Sequence, residues 1–268
     1  MDKNGAMLGI LEQLQAGFVS GTSEKWRVEL EEYPLILKRI LADWMAGATK
    51  GKRFVRVTGQ SGSGKTTQLV PAVEAWYEKM GAKPILVTAS KVAEYHPHRK
   101  EIVQECGEEG LRQETDGFAA AMMFLVLRAL LAEGYDIILD LALVEPKLEQ
   151  ILIGWLKENS YNFWMTMMAV PPKLSQKWLE RRSWRHSEVT EERFLAATGG
   201  ALGLYAEICP EMRMVMWSAW GTEPIYDGNM GEAMEVWREV INGDEALEGP
   251  SVEELVRKKI EYFRKKIS

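Results

Sequence analysis

Gly59-Gln60-Ser61-Gly62-Ser63-Gly64-Lys65-Thr66, followed by Thr67, fits the pattern GxxxxGK[ST]. Three glycines in six positions let backbone amides turn inward as a cradle for anionic oxygens, and a helix starting directly after them adds positive potential. In such a cradle Lys65 reaches the terminal phosphates of a nucleotide and the Thr66 hydroxyl ligates a divalent cation. The expected ligands are therefore ATP and Mg2+, held by residues Gly59 to Thr67. Average residue frequencies yield such a match by chance in roughly one chain in a hundred of this length.

Phosphate chemistry needs a second acid on the metal side, and an apolar strand ending in aspartate is the usual source. Ile137-Ile138-Leu139-Asp140 supplies one, so Asp140 is assigned with Thr66 to the metal. The plainer reading is an acid that merely ends a strand. Cations over the transferring group are the other requirement. Glu180-Arg181-Arg182-Ser183-Trp184-Arg185 offers three, of which Arg181 and Arg185, four apart, share a helix face. A solvated basic helix end is the alternative there.

These residues need a frame. Residues 5–18 and 24–47 read as helices, the second from the spacing of Tyr33, Ile36, Leu37, Ile40, Leu41 and Trp44. Arg53–Thr58 alternates like a strand and leads through the glycine-rich turn into a helix over Thr66–Lys79. Strands follow at 84–88, 136–140, 162–170 and 212–218, with helices at 117–133, 147–158, 174–185 and 190–208 between them. Near-continuous apolar strands alternating with helices imply an α/β fold with a buried parallel sheet covered on both faces. Residues 251–268 read as a docked terminal helix with a solvated basic face made by two Arg-Lys-Lys runs.

Composition bounds the rest. The chain has 268 residues, 46% of them hydrophobic and 27% charged, long enough to bury a core without staples. A formal charge of -6 argues against nucleic acid as a partner. The longest charge-free apolar run, residues 117–127, is short for a bilayer, so neither export nor membrane insertion is expected. Cys106 and Cys209, without metal-site spacing, suggest buried thiols in a reducing, cytoplasmic setting. Ten tryptophans and 14 methionines are read as core packing.

The string Thr58-Gly-Gln-Ser-Gly-Ser-Gly-Lys-Thr-Thr67, joined to Tyr95-His96-Pro97, to Met168-Ala169-Val170-Pro171 with Ser175, and to Glu180-Arg181, resembles the zeta toxin family of bacterial P-loop kinases. The resemblance spans roughly residues 52–208. It implies ATP-dependent phosphorylation of a small-molecule hydroxyl, amino-sugar nucleotides being the better-known acceptors, and makes a neutralising antitoxin protein a candidate partner. It assigns Lys65 and Thr66 to ATP and Mg2+, and Arg181 and Arg185 to a lid. With the elements read above, residues 1–50 are expected to form an N-terminal helical layer packed on the core and residues 51–268 a P-loop kinase-like domain with a C-terminal helix.

The acceptor side departs from the family pattern. The family's base aspartate, six residues before the His-Pro pair, falls on Ser90, and an acid on the helix before the third strand falls on Phe124. The segment ending that strand reads Asp140-Leu141-Ala142. A serine hydroxyl is no base at neutral pH, so Asp140 or Glu94 replaces it, or the donor phosphate takes the proton, or transfer is lost. Ser90 and His96 are the candidate substrate-side residues, with His96, beside His98, also readable as structural. Two functions remain open: a kinase with an altered acceptor site, and an ATP-binding module or degenerate kinase that binds a partner without phosphoryl transfer.

Overall fold

The computed structural model describes residues 24–60, 62–143, 146–180, 191–243 and 249–266. In chain order the elements are α1 (Tyr33–Met45), β1 (Arg53–Gly59), α2 (Lys65–Lys79), β2 (Ile85–Thr88), α3 (Ala89–Ala93), α4 (Arg99–Glu133) and β3 (Ile137–Asp140). There follow α5 (Pro146–Glu158), β4 (Asn162–Met168), α6 (Pro172–Glu180), α7 (Glu191–Ile208), β5 (Arg213–Trp217), β6 (Tyr226–Asn229), α8 (Met230–Asn242) and α9 (Val252–Lys266). The chain divides into two compact units, one of the residues up to Ala48 with Val87–Glu133, the other of Thr49–Leu86 with Gly134 onward.

The sheet is ordered β2-β3-β1-β4-β5-β6, and β1 and β3 to β6 lie within the second unit. β1 runs parallel to β3 and β4, and β4 parallel to β5, as the buried apolar strands imply. β6 is the departure: it pairs antiparallel with β5, Arg213 opposite Asn229 through Met216 opposite Tyr226, so the sheet is mixed. Neither β6 nor α8 is expected from the sequence.

Both faces carry a core. On one, Val55 and Val57 of β1 and Trp164 of β4 meet Leu69, Val73, Trp76 and Tyr77 of α2 and Tyr262 and Phe263 of α9. On the other, Met165 and Met167 of β4 and Met214 and Met216 of β5 pack with Ile153 of α5, Tyr205 of α7 and Trp237 of α8. The period-two methionines are thus core filler, suited to the gaps between three helices. At the start of β3 the buried Asp136 accepts from the Arg53 Nε at 2.9 Å and the Thr49 hydroxyl at 2.7 Å. The terminal helix is docked, with one correction to its solvated face: Lys259 is fully buried, donating to the Gly221 carbonyl at 2.7 Å and lying 4.8 Å from the Trp217 ring centroid.

In the first unit the expected helix over 24–47 starts later. Glu24–Trp26 and Leu30–Glu32 are 3-10 turns, Glu29 is extended (φ -74°, ψ 149°), and α1 opens with Pro34 in its first turn. The helix expected from 117 begins instead at Arg99 and is broken at Gly107 (φ 73°, ψ 176°), a backbone glycine adopts readily. Residues 113–133 are long and apolar enough by composition to cross a membrane, beyond what the charge-free run suggested, but 67% of that stretch is buried inside the protein. Tyr33 and His96 both pack on Phe118, and Trp26, Ile102 and Leu111 form a small cluster. Cys209 is buried as expected, whereas Cys106 is exposed. The expected helix over residues 5–18 lies outside the described residues.

Candidate phosphate-binding site

The glycine-rich loop sits where the second unit's central strand turns into its first helix. Gly59, ending β1, has φ +134°, and a Cβ there would lie 2.6 Å from the Met168 carbonyl of β4. Only a glycine lets the strand end this close to its neighbour. Gly62 (φ 81°) and Gly64 (φ 85°) are also left-handed, and the Ser63 amide donates to the Gln60 carbonyl at 3.2 Å, closing the turn. Gly64 caps α2, its carbonyl accepting from the Gln68 amide and the Thr67 hydroxyl, both at 3.0 Å. Lys65 opens the helix, half-buried, while Thr66 and Thr67 are exposed on its first turn. Ser61 lies outside the described residues.

Parallel register brings Asp140 to this turn. It stands opposite Val57, two residues before the loop, and its Oδ2 accepts the Thr66 hydroxyl at 2.6 Å. Asp140 is 8% exposed, and its Oδ1 is buried with no hydrogen-bond partner among the described residues. A buried carboxylate oxygen without a donor is costly. A hydrated divalent cation at the exposed Thr66 would supply what it lacks, and successive left-handed glycines are the backbone type that turns amides toward an anion. The residues present therefore fit Mg2+ and a nucleotide phosphate chain.

A second contact locks the loop. The Gln60 amide donates to the Ser175 hydroxyl of α6 at 2.6 Å, and that hydroxyl donates to the Pro172 carbonyl at 2.9 Å. Gln60 and Ser175 are both buried. Pro171 lies between the end of β4 at Met168 and the start of α6 at Pro172. Arg181 and Arg185 lie outside the described residues.

The substrate-side residues belong to the first unit. Ser90, on the first turn of α3, is exposed, its hydroxyl 3.0 Å from that of Thr88, which caps the helix by accepting from the Lys91 amide. Glu94, at the end of α3, is exposed. His96 is buried, 4.9 Å from the Phe118 ring, its Nδ1 accepting from the His98 amide at 3.2 Å. Burial, aided by His98, pulls its pKa down to about 4, which leaves the ring neutral at pH 7.

The sequence motifs do not point to Arg56. Buried in the middle of β1, it forms a two-pronged ion pair with Glu149 of α5, Nη1 to Oε2 at 2.8 Å and Nη2 to Oε1 at 2.9 Å. An arginine inside a strand covered on both faces is the signal that could have found it.

The family model for zeta toxin matches residues 46–202. The chain belongs to the zeta toxin family. A search of curated proteins finds no significant match. Among solved structures, a chain of the PezAT chromosomal toxin-antitoxin system of Streptococcus pneumoniae superposes with a TM-score of 0.64 at 20% identity, covering 91% of this chain and 100% of that one. It shares the zeta toxin fold. Weaker likenesses are a sugar kinase from Janibacter (TM-score 0.34, 14% identity, 70% of this chain and 95% of that one) and the AvrRxo1-ORF1:-ORF2 complex (0.47, 12%, 97% and 83%).

Proposed function

We propose that this zeta toxin family member is an ATP-dependent kinase that transfers the γ-phosphoryl group to a hydroxyl of a small molecule. The observation that carries the reading is the contact between Thr66 and Asp140 at the mouth of a left-handed glycine cradle. Those two side chains would hold Mg2+, which when bound neutralises charge on the phosphates. Lys65 and the loop amides bind and orient the phosphate chain, and Arg181 and Arg185 are the proposed sources of further positive charge for it. The acceptor oxygen bonds to the γ-phosphorus as the bridge to the β-phosphate breaks, releasing ADP. Little bond formation precedes bond breaking in such transfers, so a strong base is dispensable and the acceptor proton passes to the transferred group's own oxygens. Ser90, in place of the family's aspartate, indicates an acceptor other than an amino-sugar nucleotide.

Ser90 also favours a second reading, a chain that binds ATP and a partner without transfer. A neutralising antitoxin fits either reading, since the pneumococcal relative comes from a toxin-antitoxin system, and the setting proposed for both is the cytoplasm. Incubation with γ-labelled ATP, Mg2+ and a bacterial metabolite extract separates them. A labelled small molecule that disappears with Lys65→Ala supports the kinase; ATP binding with no labelled product supports the second reading.

A further inference from the structure

Arg56 reaches further than its ion pair. Its Nη2 also donates to the Ala142 carbonyl at 2.9 Å, and the Tyr205 hydroxyl of α7 donates to Glu149 Oε2 at 2.9 Å. Arg56 and Glu149 are 2% and 1% exposed, and the Arg56 Nε has no partner among the described residues. Burial and the Glu149 charge together push the Tyr205 phenol far up, so it stays a donor.

An ion pair this dry is a poor way to gain stability, because apolar residues of similar volume often serve as well. Its geometry offers another role. Residues 141–145 connect β3 to α5, 141–143 of them among the described residues, and Glu149 lies in the early part of α5. One guanidinium on the central strand therefore grips both the connection and the helix that follows it. The held carbonyl is two residues beyond Asp140, whose other neighbour, Leu141, is fixed by donating to the Val57 carbonyl at 3.2 Å. Arginine suits this double grip, because its planar fork serves two acceptors at fixed angles, which a lysine ammonium does not.

We infer that Arg56, braced by Glu149, is a positioning residue that fixes the β3–α5 connection and thereby the reach of Asp140 toward Thr66 and the metal. The inference rests on the kinase reading for its metal, but not for the connection itself. Two variants test it: Arg56→Lys, which keeps a charge for Glu149, and Arg56→Met/Glu149→Gln, which removes both charges and leaves Tyr205 an acceptor. Hydrogen exchange is read at the amides of residues 141–143 in protein without nucleotide. ATP affinity is read in Mg2+ and in EDTA.

The expected result is faster exchange at 141–143 in both variants, with melting close to wild type. The gain in ATP affinity from Mg2+ falls about tenfold or more, the scale of outer-shell losses at metal sites, while affinity in EDTA is unchanged. Unchanged exchange overturns the inference, and so does faster exchange with an undiminished Mg2+ gain. Failure of both variants to fold also overturns it, making the pair purely structural. A wild-type protein without any Mg2+ gain retires the kinase reading instead, and the exchange arm still reports whether Arg56 holds the connection.

Discussion

The Thr66 hydroxyl and the Asp140 carboxylate, 74 residues apart in sequence, meet at 2.6 Å. Adjacent parallel strands make the meeting inevitable once β1 and β3 pair in register, since the loop after β1 and the end of β3 then open on the same edge. The contact engages one carboxylate oxygen and leaves the other buried without a donor among the described residues.

Asp140→Asn is expected to leave ATP binding in EDTA near wild type and to remove most of the Mg2+-dependent rate, because charge at this position matters most while phosphate charge migrates. Calorimetry of ATP binding beside a Mg2+ titration of turnover checks it. Equal kinetics for mutant and wild type make Asp140 merely the end of a strand.

Lys65→Ala is expected to cost about 1.5–3 kcal/mol of ATP affinity, the range of hydrogen bonds to charged groups, or roughly ten- to a hundredfold. A thermal-shift titration with Mg·ATP measures the loss. No shift in wild type at millimolar nucleotide would sink the nucleotide site altogether.

Gly59→Ala places a Cβ 2.6 Å from the Met168 carbonyl on a backbone at φ +134°. Strain of this type is worth about 1–3 kcal/mol before any clash is counted, so the melting temperature drops and the loop loses its ligand. Gly81→Ala is the control: its φ is +66° and its Cβ would meet nothing within 4 Å, so any loss there reflects backbone strain alone.

Ser90→Asp separates the two functions. A kinase adapted to another acceptor loses turnover on its own substrate when a charge is added, whereas a chain silenced by loss of its base gains transfer to a family-type acceptor. The expected outcome is the loss, read as kcat/KM on the substrate found by labelling.

His96 makes stability pH-dependent. Its folded pKa, about 4, lies below the roughly 6.5 of an unfolded histidine, so the unfolded chain binds more protons between the two. The contribution is complete above pH 6.5 and fades as pH falls toward 4. His96→Phe should flatten the stability slope between pH 6.5 and 5, above the range where most carboxylates titrate, in urea melts across that window. An unchanged slope would place the histidine's sensitivity elsewhere.

The loop and its flanking elements are legible in the sequence because glycine spacing, the strand before it and the helix after it are all local signals. Asp140 is legible for the same reason, as the end of an apolar run. Arg56 is not: in Arg53-Phe-Val-Arg-Val-Thr58 nothing local separates it from Arg53, and its partner Glu149 lies 93 residues away. β6 escapes because Tyr226-Asp-Gly-Asn229 has turn composition. It is held instead by pairing with β5 and by the Arg213–Asp227 ion pair at 2.9 Å. The helix read over 24–47 fails at its start because apolar periodicity does not register an extended residue such as Glu29.

The docking of α9 on α2 carries a consequence for how the molecule is made. The Lys79 ammonium, at the end of α2, donates to the Arg264 carbonyl at 2.6 Å, 185 residues further along the chain. During synthesis the helix that opens at the phosphate loop can pack on the strands but lacks its contact with Tyr262 and Phe263 until residues 252–266 leave the ribosome. Closing so distant a contact is slow, and an uncovered apolar stripe invites association in the meantime. A nascent chain therefore has its glycine loop early and the full packing of the helix behind that loop only once residues 252–266 have been made.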